Sequence, residues 1–354
     1  MDWKEQAILL LAELVMGFIL GRFFIPYFRR IKTGKFDFYL GDRFSKDGSE
    51  PQFGGVIIFV TAIIGISIGM IYANSVSAYT GNVPDFKAIL CGVTFIFLLM
   101  CLGLFQDYIK DTGRGIGMKP RYLVISEFIC CLGFLLLLRL FGFRRTEMLL
   151  PFRLGVWEMG ILYYPLMAVF MTIVINLVKI HDCIGGETKN GVDGLCVLST
   201  FIYSLGLLSG SSFDGIVSVS ISSGKSESQL FAVCTVGACA SFLFWTISPS
   251  KIYTGESGAL LLGGLVCVMT EFSGLQCVFV PLGIVFIIDG ICALVQRLVF
   301  KINKQIVFKG DTLHSHLKAK GWGDYKIMTC STAVSIIGAV GAVAFFVYSG
   351  RLIY

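Results

Sequence analysis

Five polar segments interrupt an otherwise apolar chain, and their residue types suit phosphate chemistry. They are SKDGSEPQFGG (45–55), QDYIKDTGRGIGMKPR (106–121), NLVKIHDCIGGETKNGVDG (176–194), PSKIYTGESGALLLGG (249–264) and DTLHSHLKAKGWGDYK (311–326). Glycines let backbone amides approach an anion, lysines add positive charge, and carboxylates or amides hold a divalent ion through oxygen. Together they suit a magnesium-assisted reaction on a phosphate-bearing substrate at a membrane surface. Two of the three histidines, His314 and His316, stand in the last segment. Their spacing is not the i, i+4 pair of a zinc-binding helix, so the sequence argues against a zinc site. Each segment also has a plainer reading, since juxtamembrane lysines set topology or meet anionic lipid and glycine-rich loop starts are often turns or caps.

The elements that must position these segments are membrane helices. The 354 residues are 55% hydrophobic and only 15% charged, with mean hydropathy +0.80 and net charge +6, whereas soluble domains are about 25% charged. About 20 apolar residues span a bilayer as a helix, and runs this continuous do not alternate as barrel strands would. The pattern predicts an all-α polytopic membrane protein with ten spans, near 7–27, 53–73, 87–105, 121–142, 160–179, 192–210, 228–247, 257–273, 274–298 and 327–349. Most lysines and arginines fall in alternate loops, which puts those loops in the cytoplasm and both termini outside. All five polar segments then share the cytoplasmic face. Most of the twelve cysteines lie inside apolar runs and read as small hydrophobes. The first 27 residues lack a cleavage site and read as a retained span. Residues 1–354 form one integral-membrane domain, with the lipid bilayer as its surroundings and no nucleic-acid partner. Glu127 and Asp289 fall inside spans, where a carboxylate is functional or bonded across helices.

Taken together, the loops resemble the phospho-MurNAc-pentapeptide translocase (MraY) family, within the wider polyprenyl-phosphate N-acetylhexosamine-1-phosphate transferases. LHSHLKAKGW (313–322) is similar to its His-His-His-Phe-Glu-x-Lys-Gly-Trp loop, and YTGESGALLLGG (253–264) to Met-Gly-Asp-Thr-Gly-Ser-Leu-Ala-Leu-Gly-Gly. FQDYIK (105–110) is similar to Asp-Asp-Tyr-x-Lys, NGVDGL (190–195) to the end of Asn-Leu-Thr-Asp-Gly-Leu-Asp-Gly-Leu, and PQFGG (51–55) to Pro-Thr-Met-Gly-Gly. The resemblance implies transfer of phospho-MurNAc-pentapeptide from UDP to undecaprenyl phosphate, giving lipid I and UMP, with Mg2+ as cofactor, in the bacterial inner (plasma) membrane. A homodimer stays open. By position it implies catalytic roles for Asp107, Glu256, His314 and His316. Substrate contacts are implied for Lys46, Lys119, Asn176, Asp182, Asn190 and Asp193, and metal ligation for Glu256 and Asp182.

The departures from the family pattern concentrate in the site. Gln106 replaces the first acid of a pair, Glu256 lengthens a metal ligand by one methylene, Thr246 stands for Asn, Ser315 interrupts the histidine triplet and Asp289 replaces Glu. Segment 176–194 aligns in two ways: from its end, placing Glu187 and Asn190 where the family has Asn and Asp, or from its start, keeping Asn176 and Asp182. The second preserves more oxygen ligands. Three alternatives follow: a transferase for another UDP-N-acetylhexosamine, a paralogue that binds nucleotide-sugar or polyprenyl phosphate without turnover, and, in a different class, a secondary transporter.

Overall fold

The structure, a computed structural model, describes residues 3–36, 51–80, 84–111, 118–143, 146–150, 156–182, 192–211, 225–247, 250–304 and 306–350. Its helices are α1 (Trp3–Phe36), α2 (Gly54–Thr80), α3 (Phe86–Asp111), α4 (Pro120–Leu140), α5 (Tyr163–Asp182) and α6 (Leu195–Ser211), followed by α7 (Lys225–Thr246), α8 (Gly255–Ser273), α9 (Phe279–Leu282), α10 (Ile284–Asn303), α11 (Leu313–Ala319) and α12 (Asp324–Gly350). Each of the ten expected apolar runs is helical. Among the described residues, eight helices are long and apolar enough to cross a membrane, and the bent pair Gln276–Leu282 and Ile284–Asn303 makes up to nine.

The sixth expected span, 192–210, needs correcting, because within the described residues the apolar stretch of α6, Leu195–Ser209, is shorter than a full crossing. The fold is also not purely helical. Strands β1 (Glu147–Leu149) and β2 (Val156–Glu158) form an antiparallel hairpin, with Met148 opposite Trp157, between α4 and α5. Both carry charged residues and three residues each, so no alternating apolar signal marked them.

Helix α8 is the axis of the bundle. It packs against α2, α3, α5, α6 and α7, and nearly all its side chains are buried. Without a solvent-driven hydrophobic force between helices in lipid, such packing depends on small residues that let backbones approach. Gly103 of α3 shows this directly, since a Cβ there would lie 2.4 Å from the Ser257 Cα. Large apolar side chains on the outer helices, including Phe23, Ile71, Leu140 and Ile337, are exposed, as lipid-facing residues should be. The chain turns by 79° between α9 and α10, at Gly283, where a side chain would strike the Phe279 carbonyl.

Candidate active site

The start of α8 is built by two of the polar segments docking on each other. Gly54 and Gly55 donate backbone N–H groups to the carbonyls of Tyr253 and Thr254, and Tyr253 N–H donates to Pro51. Gly255 sits at φ +71° with Gln52 O in the place a Cβ would take, so only glycine fits this junction. The first amides of α8 lack helical partners. Asp107, buried near the end of α3, supplies them: its Oδ1 accepts Glu256 N–H and its Oδ2 accepts Ser257 N–H, each at 3.0 Å. A carboxylate at a helix N-terminus also meets the positive end of the dipole. Both Asp107 oxygens are thus engaged in fixing the residue that carries the Glu256 side chain.

Around that start lie further charges. Lys179 Nζ is 3.2 Å from Glu256 Oε2, an ion-pair contact that lacks hydrogen-bond geometry, and both side chains are largely buried. Asp182, the last residue of α5, accepts the Thr254 hydroxyl at 2.9 and 3.0 Å to its two oxygens. Asn176, two turns earlier, donates to Glu127 Oε2 at 2.5 Å and to the Thr172 carbonyl at 2.9 Å. Glu127 therefore bonds across helices, one of its two expected roles. Asp193 Oδ2 accepts the Ser250 hydroxyl at 3.0 Å, and Gly194 beside it, at φ +77°, packs against Thr246. Gln106 is buried and accepts Met118 N–H at 3.1 Å, so the amide that replaces an acid ties the chain entering α4 back to α3. Lys119 stands exposed at the N-cap of α4. Lys46 and Asn190 lie outside the described residues.

The two histidines of the last segment part company. Thr312 caps α11 by accepting Ser315 N–H at 3.4 Å. Two residues after Thr312 the His314 ring is buried, with Nδ1 2.8 Å from Asp289 Oδ2, whereas His316 Nδ1 accepts Lys309 N–H at 3.0 Å and its ring lies edge-on to Phe308. Slight desolvation, with the positive charges of Lys320 and Lys309, lowers the His316 pKa below the ordinary imidazole value. It is therefore a neutral ring at neutral pH. The Lys-Gly-Trp stretch closes α11, with Gly321 at φ +90° and Trp322 N–H returning to Leu317 O, and Lys326 lies over the Trp322 ring.

Two residues carry contacts that sequence reading did not assign. Lys179 pairs with Glu256, and His181 pairs with Asp289 at 2.6 Å and with the Ser199 hydroxyl at 2.9 Å. The clue for His181 was its position as the third histidine, directly before Asp182.

A family model described as glycosyl transferase family 4 matches residues 89–273, more than half of the chain. The chain belongs to that family. The matched region contains Asp107, Glu127, Lys179, Asp182, Asp193 and Glu256, whereas Asp289 and the histidines of α11 follow it. Curated relatives cover almost all of the chain. A protein of Heliobacterium modesticaldum is 26% identical over 92% of each chain, and one of Bacillus licheniformis is 28% identical over 95% of this chain and 97% of its own. One of Halalkalibacterium halodurans is 25% identical over 94% and 95%. All three are named phospho-N-acetylmuramoyl-pentapeptide-transferase. The family member described here is thus a phospho-sugar transferase in type, built as a multi-pass membrane protein.

Proposed function

We infer that the chain transfers phospho-MurNAc-pentapeptide from its UDP carrier to undecaprenyl phosphate, releasing UMP and forming lipid I at the cytoplasmic face of a bacterial plasma membrane. The observation that carries this reading is the meeting of PQFGG, QDYIK, NLVKIHD and YTGES around one helix start. Four separated stretches supply there two lysine-paired or hydroxyl-paired acids and a glycine junction. The near full-length likeness to the named relatives supports the donor assignment. The lysine and arginine bias puts the loops inside and both termini outside.

Phosphoryl transfer asks a protein for positioning and charge neutralisation more than for covalent chemistry. An oxygen of the lipid phosphate attacks the sugar-side phosphorus of the UDP donor. The phosphorus–oxygen bond to UMP breaks, and UMP leaves with the bonding electrons. The acceptor needs little help from a base, because phosphate monoesters have a second pKa of about 6 and are largely ionised at pH 7. That fits an active site in which Gln106 stands in place of an acid.

The donor set suits magnesium, which is held by one or two carboxylates plus substrate phosphates. Glu256 Oε2 is buried with no hydrogen bond, and Asp182 is beside it in the cluster around Thr254. These two would hold the ion, which neutralises charge on the diphosphate when bound. Asp107 keeps Glu256 in place through the α8 amides. Lys179 and Lys119 contribute cations to the anionic substrates, and the neutral His316 ring offers a hydrogen bond at the rim.

A second reading, a paralogue that binds the same ligands without turnover, draws on one observation: Lys179 already neutralises Glu256. Purified protein given undecaprenyl phosphate, UDP-MurNAc-pentapeptide and Mg2+ should release UMP. Calorimetric binding without UMP release would favour the paralogue, and UMP release only with another UDP-N-acetylhexosamine would reassign the donor.

A further inference from the structure

His181 on α5, Asp289 on α10 and His314 on α11 come from three helices and are all buried. One ligand atom from each lies within 4.8 Å of the others. The Nδ1 atoms of His181 and His314 both address Asp289 Oδ2, at 2.6 and 2.8 Å. Two members have an outer partner for their second polar atom: His181 Nε2 meets the Ser199 hydroxyl at 2.9 Å and Asp289 Oδ1 accepts Leu313 N–H at 3.0 Å. The Thr312 hydroxyl flanks the His314 ring, 3.2 Å from both of its nitrogens. Inward ligand atoms held by such outer hydrogen bonds are the construction of a metal centre, where outer partners fix the histidine tautomer and ring orientation.

The geometry points to a second metal site, for a d-block dication of the zinc class, with His181, Asp289 and His314 as its protein ligands. Two imidazoles and one carboxylate suit zinc, cobalt(II) or iron(II), and imidazole is a poor ligand for magnesium. The site is therefore distinct in chemistry from the carboxylate pair at Asp182 and Glu256. Three protein ligands leave a fourth position open, and the same three side chains form part of the wall of a cavity of about 100 Å³ that also holds Ser331 and Cys330. Metal–ligand bonds of about 2.0–2.1 Å put ligand atoms roughly 3.3 Å apart, so an ion requires them to draw back by about half an ångström from their present contacts. The rival arrangement is a bare hydrogen-bonded triad. In that case Nδ1–H of each ring donates to Asp289, whereas with an ion Nδ1 is deprotonated and Nε2–H donates to Ser199 and Thr312. The sequence could not show this site, because His181 lies far from the His-x-His pair that it completes.

The test uses the full chain in detergent, stripped with chelator and titrated with Co2+, and it needs no turnover, so its outcome is independent of the donor and acceptor proposed above. Wild type should bind one Co2+ per chain with visible ligand-field absorption, Zn2+ should abolish that absorption, and excess Mg2+ should leave it unchanged. Ser199→Ala should weaken binding by roughly 10–100-fold while keeping the spectrum's form. His181→Cys should restore a site with an added thiolate-to-cobalt band, which His181→Phe cannot. A wild type with no visible absorption, or a His181→Phe protein with an unchanged spectrum and affinity, overturns the proposal and leaves the bare triad.

Discussion

Asp107→Ala removes the acceptor of two amides at the start of the most enclosed helix. Hydrogen bonds to a charged group contribute about 1.5–3 kcal/mol each, and a buried N–H left without a partner costs about 1–3 kcal/mol. With both Asp107 bonds at 3.0 Å and the group buried, the loss should be about 3–6 kcal/mol. Asp107→Asn keeps one acceptor oxygen but turns an amide donor toward the second N–H, so it should cost about 2–4 kcal/mol on the same values. Because the bonds hold the backbone of Glu256, both changes should also lower UMP release. Reversible unfolding in mixed micelles reads the first effect and a coupled UMP assay the second. An Asp107→Ala protein within about 0.5 kcal/mol of wild type would refute the capping argument, since exposed sites behave that way and buried caps do not. Loss of activity with stability unchanged would instead assign Asp107 a direct part in the chemistry.

Lys179→Met should free Glu256 from its 3.2 Å partner, lowering the Mg2+ concentration for half-maximal UMP release several-fold while reducing the maximal rate; an unchanged Mg2+ dependence would show that the pair does not compete with the ion. Gln106→Ala leaves Met118 N–H without its acceptor and should destabilise by about 1–3 kcal/mol, measured by the same unfolding assay. Gly103→Ala brings a Cβ against the α8 backbone and should cost about 1–3 kcal/mol or more, because overpacking between backbones cannot be relieved by a rotamer. The His316 pKa is lowered in the fold, so the unfolded ring binds the proton more readily and stability falls as pH drops below the ordinary imidazole value. His316→Gln should remove that slope from a stability–pH profile, and a slope that persists would place its source elsewhere.

The helices were legible because burial in lipid demands continuous apolar runs, a signal carried by each segment alone. The same logic failed for α6 and for the β1–β2 hairpin. Leu195–Ser211 is apolar but owes its place to the surrounding helices, and Glu147–Leu149 is too short for any period to register. Around the site, residue types were legible but pairings were not. Glycine, acid and lysine are local facts, yet the sharing of Asp289 between His181 and His314 depends on how α5, α10 and α11 pack. The histidines of α11 looked equivalent in the sequence, and a spacing of two residues, about half a turn of the capped helix, separates them into a buried ring and a rim ring.

Among the eight long helices of the described residues, α8 is both the most enclosed and the least apolar. Lipid alone therefore holds it least firmly at the moment of insertion, when its eventual neighbours α2, α3, α5, α6 and α7 have already left the ribosome. Its residence in the bilayer should be an act of assembly, secured by a cradle made beforehand. Truncations that end after α8 should insert only when α3 is present upstream, which makes this helix a reporter of whether the cradle has formed.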